Sequence, residues 1–118
     1  MTVYVVQNTM RLDRLTGGLV AKFDYSPAER FGEIRFLLPH QAKPFNPDGG
    51  VIRELRDGLS RFGDGDYLLL TGNPTMLALA FAIAADVNDG AVNVLQYDGR
   101  QHSYTPIVIR DVFEHSAK

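Results

Sequence analysis

The stretch that decides the fold is Asp66–Gly90, DYLLLTGNPTMLALAFAIAADVNDG. Tyr67-Leu68-Leu69-Leu70 is a short apolar run between turn residues, the pattern of a strand buried on both faces. Gly72 lets the chain turn sharply without a Cβ clash. Asn73 suits the N-cap of a helix, and Pro74 suits its first position, where the missing N–H costs nothing. Beyond Pro74 the first charge is Asp86, and Asn88-Asp89-Gly90 supplies a stop. The predicted helix is apolar on nearly every side, with Met76, Leu77, Leu79, Phe81, Ile83 and Val87 spread around it. Such a helix needs cover on more than one face. Either the rest of the chain supplies it or a second copy does, which makes a homodimer a candidate. A membrane span across this stretch is not expected, because Gly72-Asn73-Pro74 interrupts the apolar run near its start.

Composition narrows the class. A chain of 118 residues is long enough for one domain with a real core, so residues 1–118 are read as one unit with a frayed tail over 113–118. With no cysteine, disulfides, thiol catalysis and cysteine-bound zinc drop out, as suits a reducing cytoplasm. A formal net charge of −2 argues against a globally basic nucleic-acid binder, though not against a local patch. The opening MTVYVVQNTMRLDRL lacks the basic and long apolar regions of a signal peptide.

Outward from the central stretch, Thr2–Gln7 reads as a strand. In Asn8–Gly18, Met10, Leu12 and Leu15 are spaced to anchor a turn of helix, and Leu19–Tyr25 alternates like a second strand. Ser26-Pro27-Ala28-Glu29 has the capping-box pattern. Glu33–Leu38 reads as a strand, and residues 39–50 form the longest loop. Val51, Ile52, Leu55, Leu59 and Phe62 share one helical face. Ala91–Tyr97 and Tyr104–Val112 read as a hairpin around Asp98-Gly99-Arg100-Gln101, with Pro106 marking an edge strand. The alternation predicts an α/β fold: a mixed, largely parallel sheet of about five or six strands, two main helices and a C-terminal hairpin, with the first strands and the hairpin extending the sheet beyond the run that starts at Glu33.

Ligands gather at the carboxyl ends of strands in such sheets. Those ends bring Thr71, Gly72, Asn73 and Thr75 to one rim with His40, Lys43, Tyr97 and Asp98. The amides of Asn73, Thr75 and Met76 begin a helix and are placed to hold an anion. A plain capped turn explains the same residues without a ligand. Arg53, Arg56 and Arg61 make a candidate patch for phosphate or an acidic protein, and a solvated helix face with Arg53 and Asp57 one turn apart is the simpler reading. His40, His102 and His115 lack metal-ligand spacing, no serine sits in a nucleophile elbow, and no carboxylate pair suggests acid–base work. Asp64 and Asp66 alternate as in a calcium loop whose remaining positions are missing, so they read as a helix-to-strand turn. No metal and no cofactor is expected.

Three segments carry a resemblance: DYSPAERFGEIRFLLP (residues 24–39), DYLLLTGNP (66–74) with the Ala-rich helix after it, and VNVLQYDGRQHSYTPIVI (92–109). Together they resemble small uncharacterised proteins of tailed bacteriophages. In that family a Gly-Asn/Asp-Pro turn precedes an Ala-rich helix, and the last hairpin carries an aromatic–Asp pair like Tyr97-Asp98. The resemblance implies a viral accessory protein in the bacterial host cytoplasm, and it brings no catalytic residues with it. The function expected first is therefore non-enzymatic binding of a host or phage macromolecule, with a host or phage protein as partner. A small-ligand or nucleotide-binding domain using Thr71–Thr75 is the second expectation, and a nucleic-acid-associated protein using the arginines is the third.

Overall fold

The computed structural model describes residues 1–43 and 50–113. Five strands form one sheet: β1 (Thr2–Gln7), β4 (Glu33–Leu38), β5 (Tyr67–Leu69), β6 (Val92–Asp98) and β7 (Ser103–Ile109), in the order β4-β1-β5-β6-β7. Neighbours from β4 to β6 run parallel, and β7 returns antiparallel to β6. The mixed α/β sheet with two main helices and a terminal hairpin is thus as the sequence predicts. One placement differs. The first strand does not extend the sheet from outside but lies inside it, between β4 and β5. Its run Val3-Tyr4-Val5-Val6 is buried throughout, as expected of a parallel strand covered on both faces.

Helices α1 (Gly50–Gly58) and α2 (Pro74–Val87) cover one face. Tyr4, Val6, Leu68, Val92 and Val94 meet Leu55, Leu59, Met76, Ala80 and Ile83 there. Within α1 and the turn after it, Val51, Leu55, Leu59 and Phe62 are buried as their spacing predicts, but Ile52 is exposed. The second face is covered by the 3-10 helix Ser26–Phe31 and the segment before it, with Tyr25 and Ala28 packed on Val3, Val5, Leu69 and Leu95. The capping box is not made. Asp24 instead accepts from the amide and hydroxyl of Ser26, at 3.0 and 2.7 Å, and Pro27 takes the helix start. Those bonds hold the Asp24 carboxyl below its usual range, the backbone bond first and the side-chain bond second.

Helix α2 begins as read: Asn73 caps it by accepting the Thr75 amide at 2.9 Å. Most of its surface is covered by this chain. The exposed strip is Thr75, Ala78, Ala82 and Asp86, Pro74 and Val87 are exposed at the two ends, and Leu77, Leu79 and Phe81 are partly buried. None of the helices among the described residues is long and apolar enough to cross a membrane.

The Asn8–Gly18 segment departs from expectation. Met10–Leu12 is not helical. It forms strand β2, pairing antiparallel with β3 (Leu19–Ala21) as a separate two-stranded ribbon. A turn of helix there would need a surface for Met10, Leu12 and Leu15, and the fold offers none at that point. Strand pairing instead satisfies the backbone. The last strand also stops at Ile109 rather than Val112. Of the predicted loop 39–50 and tail 113–118, residues 44–49 and 114–118 lie outside the described residues.

Candidate functional site at the strand-end rim

Strand order reverses between β1 and β5. The chain leaves β1 for β4 on one side and then crosses back over β1 to β5. In an open α/β sheet this is where a crevice opens. Here a side chain of the protein occupies it. Gln7, the last residue of β1, is almost fully buried. Its Nε2 donates to the carbonyls of Pro39, His40 and Ala42 at 3.2, 3.0 and 3.2 Å. Its Oε1 accepts the Asn73 amide at 3.0 Å. Gly72 passes so close that a Cβ there would lie 2.6 Å from the Gln7 Cβ, and its φ of +132° suits glycine alone. One carboxamide thereby ties the loop after β4 to the turn before α2.

Hydroxyls continue this junction. Buried Thr71 donates to the Gln7 carbonyl at 3.2 Å and lies 3.4 Å from the Tyr25 hydroxyl, which is itself 3.5 Å from Thr9 Oγ1. The exposed His40 accepts the Met10 amide at its Nδ1, 3.1 Å away, so the ring carries its proton on Nε2. That contact fixes the base of the β2–β3 hairpin to the loop after β4.

The predicted rim residues fall into two groups. Thr71, Gly72, Asn73, Thr75 and His40 converge around Gln7. Two of the three amides expected to face an anion are engaged, Asn73 by Gln7 and Thr75 by the Asn73 side chain. Lys43 is exposed at the end of the described part of its loop. Tyr97 and Asp98 belong to the β6–β7 hairpin and reach the first group only through other rings. Tyr97 packs on Phe23 at 5.7 Å and on Tyr104 at 5.4 Å, and Phe23 neighbours Tyr25 at 6.5 Å. Asp98 accepts the Arg100 amide at 3.0 Å and so shapes its own turn. These two residues, with Gln96, Gly99, Arg100, Thr105 and Ile107, line an open groove of about 590 Å³. Tyr104 donates to the Asp24 carbonyl at 3.0 Å. Burial first, then the nearby Tyr25, Tyr97 and Asp24, push its phenol up to about 12.

Of the arginine patch, Arg56 pairs with Asp86 of α2 at 3.2 Å. Arg53 and Arg61 are exposed and form no ion pair with a described residue, and Arg53 does not pair with Asp57. Asp64 and Asp66 form a tied turn. Asp66 accepts the amides of Thr2 and Gly63, both at 2.9 Å, and Asp64 accepts from Asn88 at 2.9 Å. Among the described residues no group of three His, Cys, Asp or Glu side chains is placed to hold a metal.

The sequence reading passed over Gln7, Phe23 and Tyr25. The one available signal was Gln7 itself, a polar residue closing a strand whose preceding four residues, Val3-Tyr4-Val5-Val6, are apolar or aromatic. It also passed over the hairpin surface. Leu12, Leu15 and Leu19 are 62%, 96% and 57% exposed, on a ribbon that joins no larger sheet. Arg11, Arg14 and Lys22 are exposed beside them, with Asp13 the only acidic residue from 10 to 22.

A family model described as Phage Pam3 gp32-like protein matches residues 1–111. The chain belongs to the Phage Pam3 gp32-like family. This places it among phage proteins, in agreement with the resemblance carried by residues 24–39, 66–74 and 92–109. The match takes in the hairpin, the Gln7 junction and both edges of the sheet, so all three belong to the gp32-like unit. No curated protein and no solved structure matches this chain.

Proposed function

We propose that this gp32-like chain is a non-enzymatic phage accessory protein that works in the host cytoplasm by binding another protein, and that the β2–β3 hairpin is the arm that reaches it. The observation that carries this reading is the exposure of Leu12, Leu15 and Leu19 on a ribbon tied at its base to His40. Three large apolar side chains on one short exposed ribbon form a patch of the kind that marks an interaction site. They do nothing for the core of their own chain. Arg14 in the turn, with Arg11 and Lys22 on the opposite face of the ribbon from Leu12 and Leu19, makes the arm positively charged, which favours a partner whose apolar groove is flanked by carboxylates. The other readings draw less support. The Asn73 and Thr75 amides are already engaged, and Arg56 is held by Asp86.

The test is a photo-crosslinking residue in place of the exposed Arg14, expressed during infection, alone and combined with the triple substitution Leu12→Ser, Leu15→Ser, Leu19→Ser. A discrete crosslinked protein that disappears with the triple variant, at unchanged melting temperature, is the expected result. Crosslinks that are diffuse, or that persist in the triple variant, would remove the hairpin from the interface.

A further inference from the structure

We infer that strand β4 is a homodimer interface, pairing antiparallel with β4 of a second copy about a two-fold axis at Ile34. The sheet has two edges, and they differ. The β7 edge carries Pro106, which has no N–H to offer an incoming strand. Strand β4, EIRFLL, has no proline and, among the described residues, is paired on one side only.

The registers open to such a pair follow from the ladder. The Glu33 amide donates inward to the Met1 carbonyl at 3.2 Å. By alternation the backbone groups of Ile34 and Phe36 point outward. An antiparallel partner must therefore align even positions with even positions. Three two-fold registers are central to the strand. An axis at residue 35 sets Arg35 against the partner's Arg35, a like-charge pair in direct opposition. An axis at residue 36 sets Arg35 against the partner's Leu37 and leaves Glu33 without a partner charge. An axis at residue 34 sets Glu33 against the partner's Arg35, and Arg35 against the partner's Glu33. In that register Ile34 meets the partner's Ile34, and Phe36 lies across from the partner's Gly32, where an aromatic ring covers a bare backbone.

Glu33 and Arg35 then occupy non-hydrogen-bonded positions, where opposed side chains are nearest. Both are free to take new partners, being 67% and 62% exposed with a loose 3.6 Å contact to each other. Phe36, 49% exposed at the same edge, would be covered. The occupant is thus a second copy of this chain, chosen by charge complementarity. The pairing is independent of the hairpin.

Sedimentation equilibrium on the full chain tests this, up to about 100 μM, because one strand pair is a small interface and its Kd belongs in the micromolar range. Wild type is expected to dimerise. Arg35→Glu places four carboxylates together and is expected to raise Kd at least about tenfold. The double variant Glu33→Arg, Arg35→Glu restores the reciprocal pairs and is expected to restore the dimer. Melting curves taken at protein concentrations well below Kd should coincide, since both side chains are exposed. A monomeric wild type, a dimer indifferent to Arg35→Glu, or a charge swap that fails to rescue would each overturn the assignment.

Discussion

Gln7 illustrates what a single residue does here. A carboxamide Nε2 has two hydrogens and here faces three carbonyls, so at least one hydrogen is shared. Replacing it with leucine strands those carbonyls and the Asn73 amide. Gln7→Leu is expected to cost about 2 kcal/mol in urea unfolding. Gln7→Glu should cost more, because a carboxylate there can donate nothing and is nearly buried. An unchanged midpoint in either variant would mean that water replaces the carboxamide at little cost. Tyr104 gives a pH signature. Its phenol is raised to about 12 from the ordinary 10, so the folded chain holds this proton more tightly than the unfolded one. The associated stability is complete below pH 10 and is lost as pH rises from about 10 to 12. Tyr104→Phe should lower stability near neutrality by about 1 kcal/mol, through the lost bond to Asp24. It should also flatten the alkaline loss. A melting temperature that falls equally in both proteins between pH 10 and 12 would assign the loss to another group. Neither role was legible in the sequence, because each partner lies far along the chain and only the assembled sheet brings it near.

Among the elements, α2 was read most fully and the β2–β3 hairpin least. The α2 boundaries rest on local chemistry, the Asn73 cap and the Asn88-Asp89-Gly90 stop, and local chemistry is visible in a sequence. Asn73→Ala should cost about 1 kcal/mol. By contrast, Arg56→Ala should change stability by less than about 0.5 kcal/mol, because its pair with Asp86 is exposed on both sides. Urea curves for the two variants check this ordering, and a costly Arg56→Ala would mean that the pair organises the α1–α2 contact. The second strand of the hairpin falls within the predicted strand Leu19–Tyr25, but its first strand departs from the predicted helical turn, because leucine spacing suggests a helix only where there is a surface to receive the leucines. With none, the same residues pair as strands and stand exposed. Replacing residues 11–20 with a short Gly-Ser turn should therefore leave the melting temperature nearly unchanged while abolishing capture of the crosslinked partner. A large loss of stability would instead make the hairpin a structural part of the fold.

At the scale of the whole molecule, the switch point of the sheet is closed by the protein's own side chains. The reversal between β1 and β5 would ordinarily leave a crevice, and Gln7, Thr71 and Tyr25 fill it. If the crevice is shut, a thermal-shift screen of nucleotides and phosphate should give no stabilisation. A bound nucleotide at 100 times its Kd would add about 2.7 kcal/mol, so binding at the rim would be evident. The sequence alone determined the α/β class, the apolar strand and capped helix of residues 66–90, and the edge position of the strand with Pro106. Those features depend on periodicity, capping and a missing N–H, all of which are written locally. The tertiary structure alone decided that β1 lies inside the sheet, that Gln7 occupies the switch point, and that Leu12, Leu15 and Leu19 are left outside. Each of these depends on which distant segments meet, and strand order is set by packing between them, not by any single stretch.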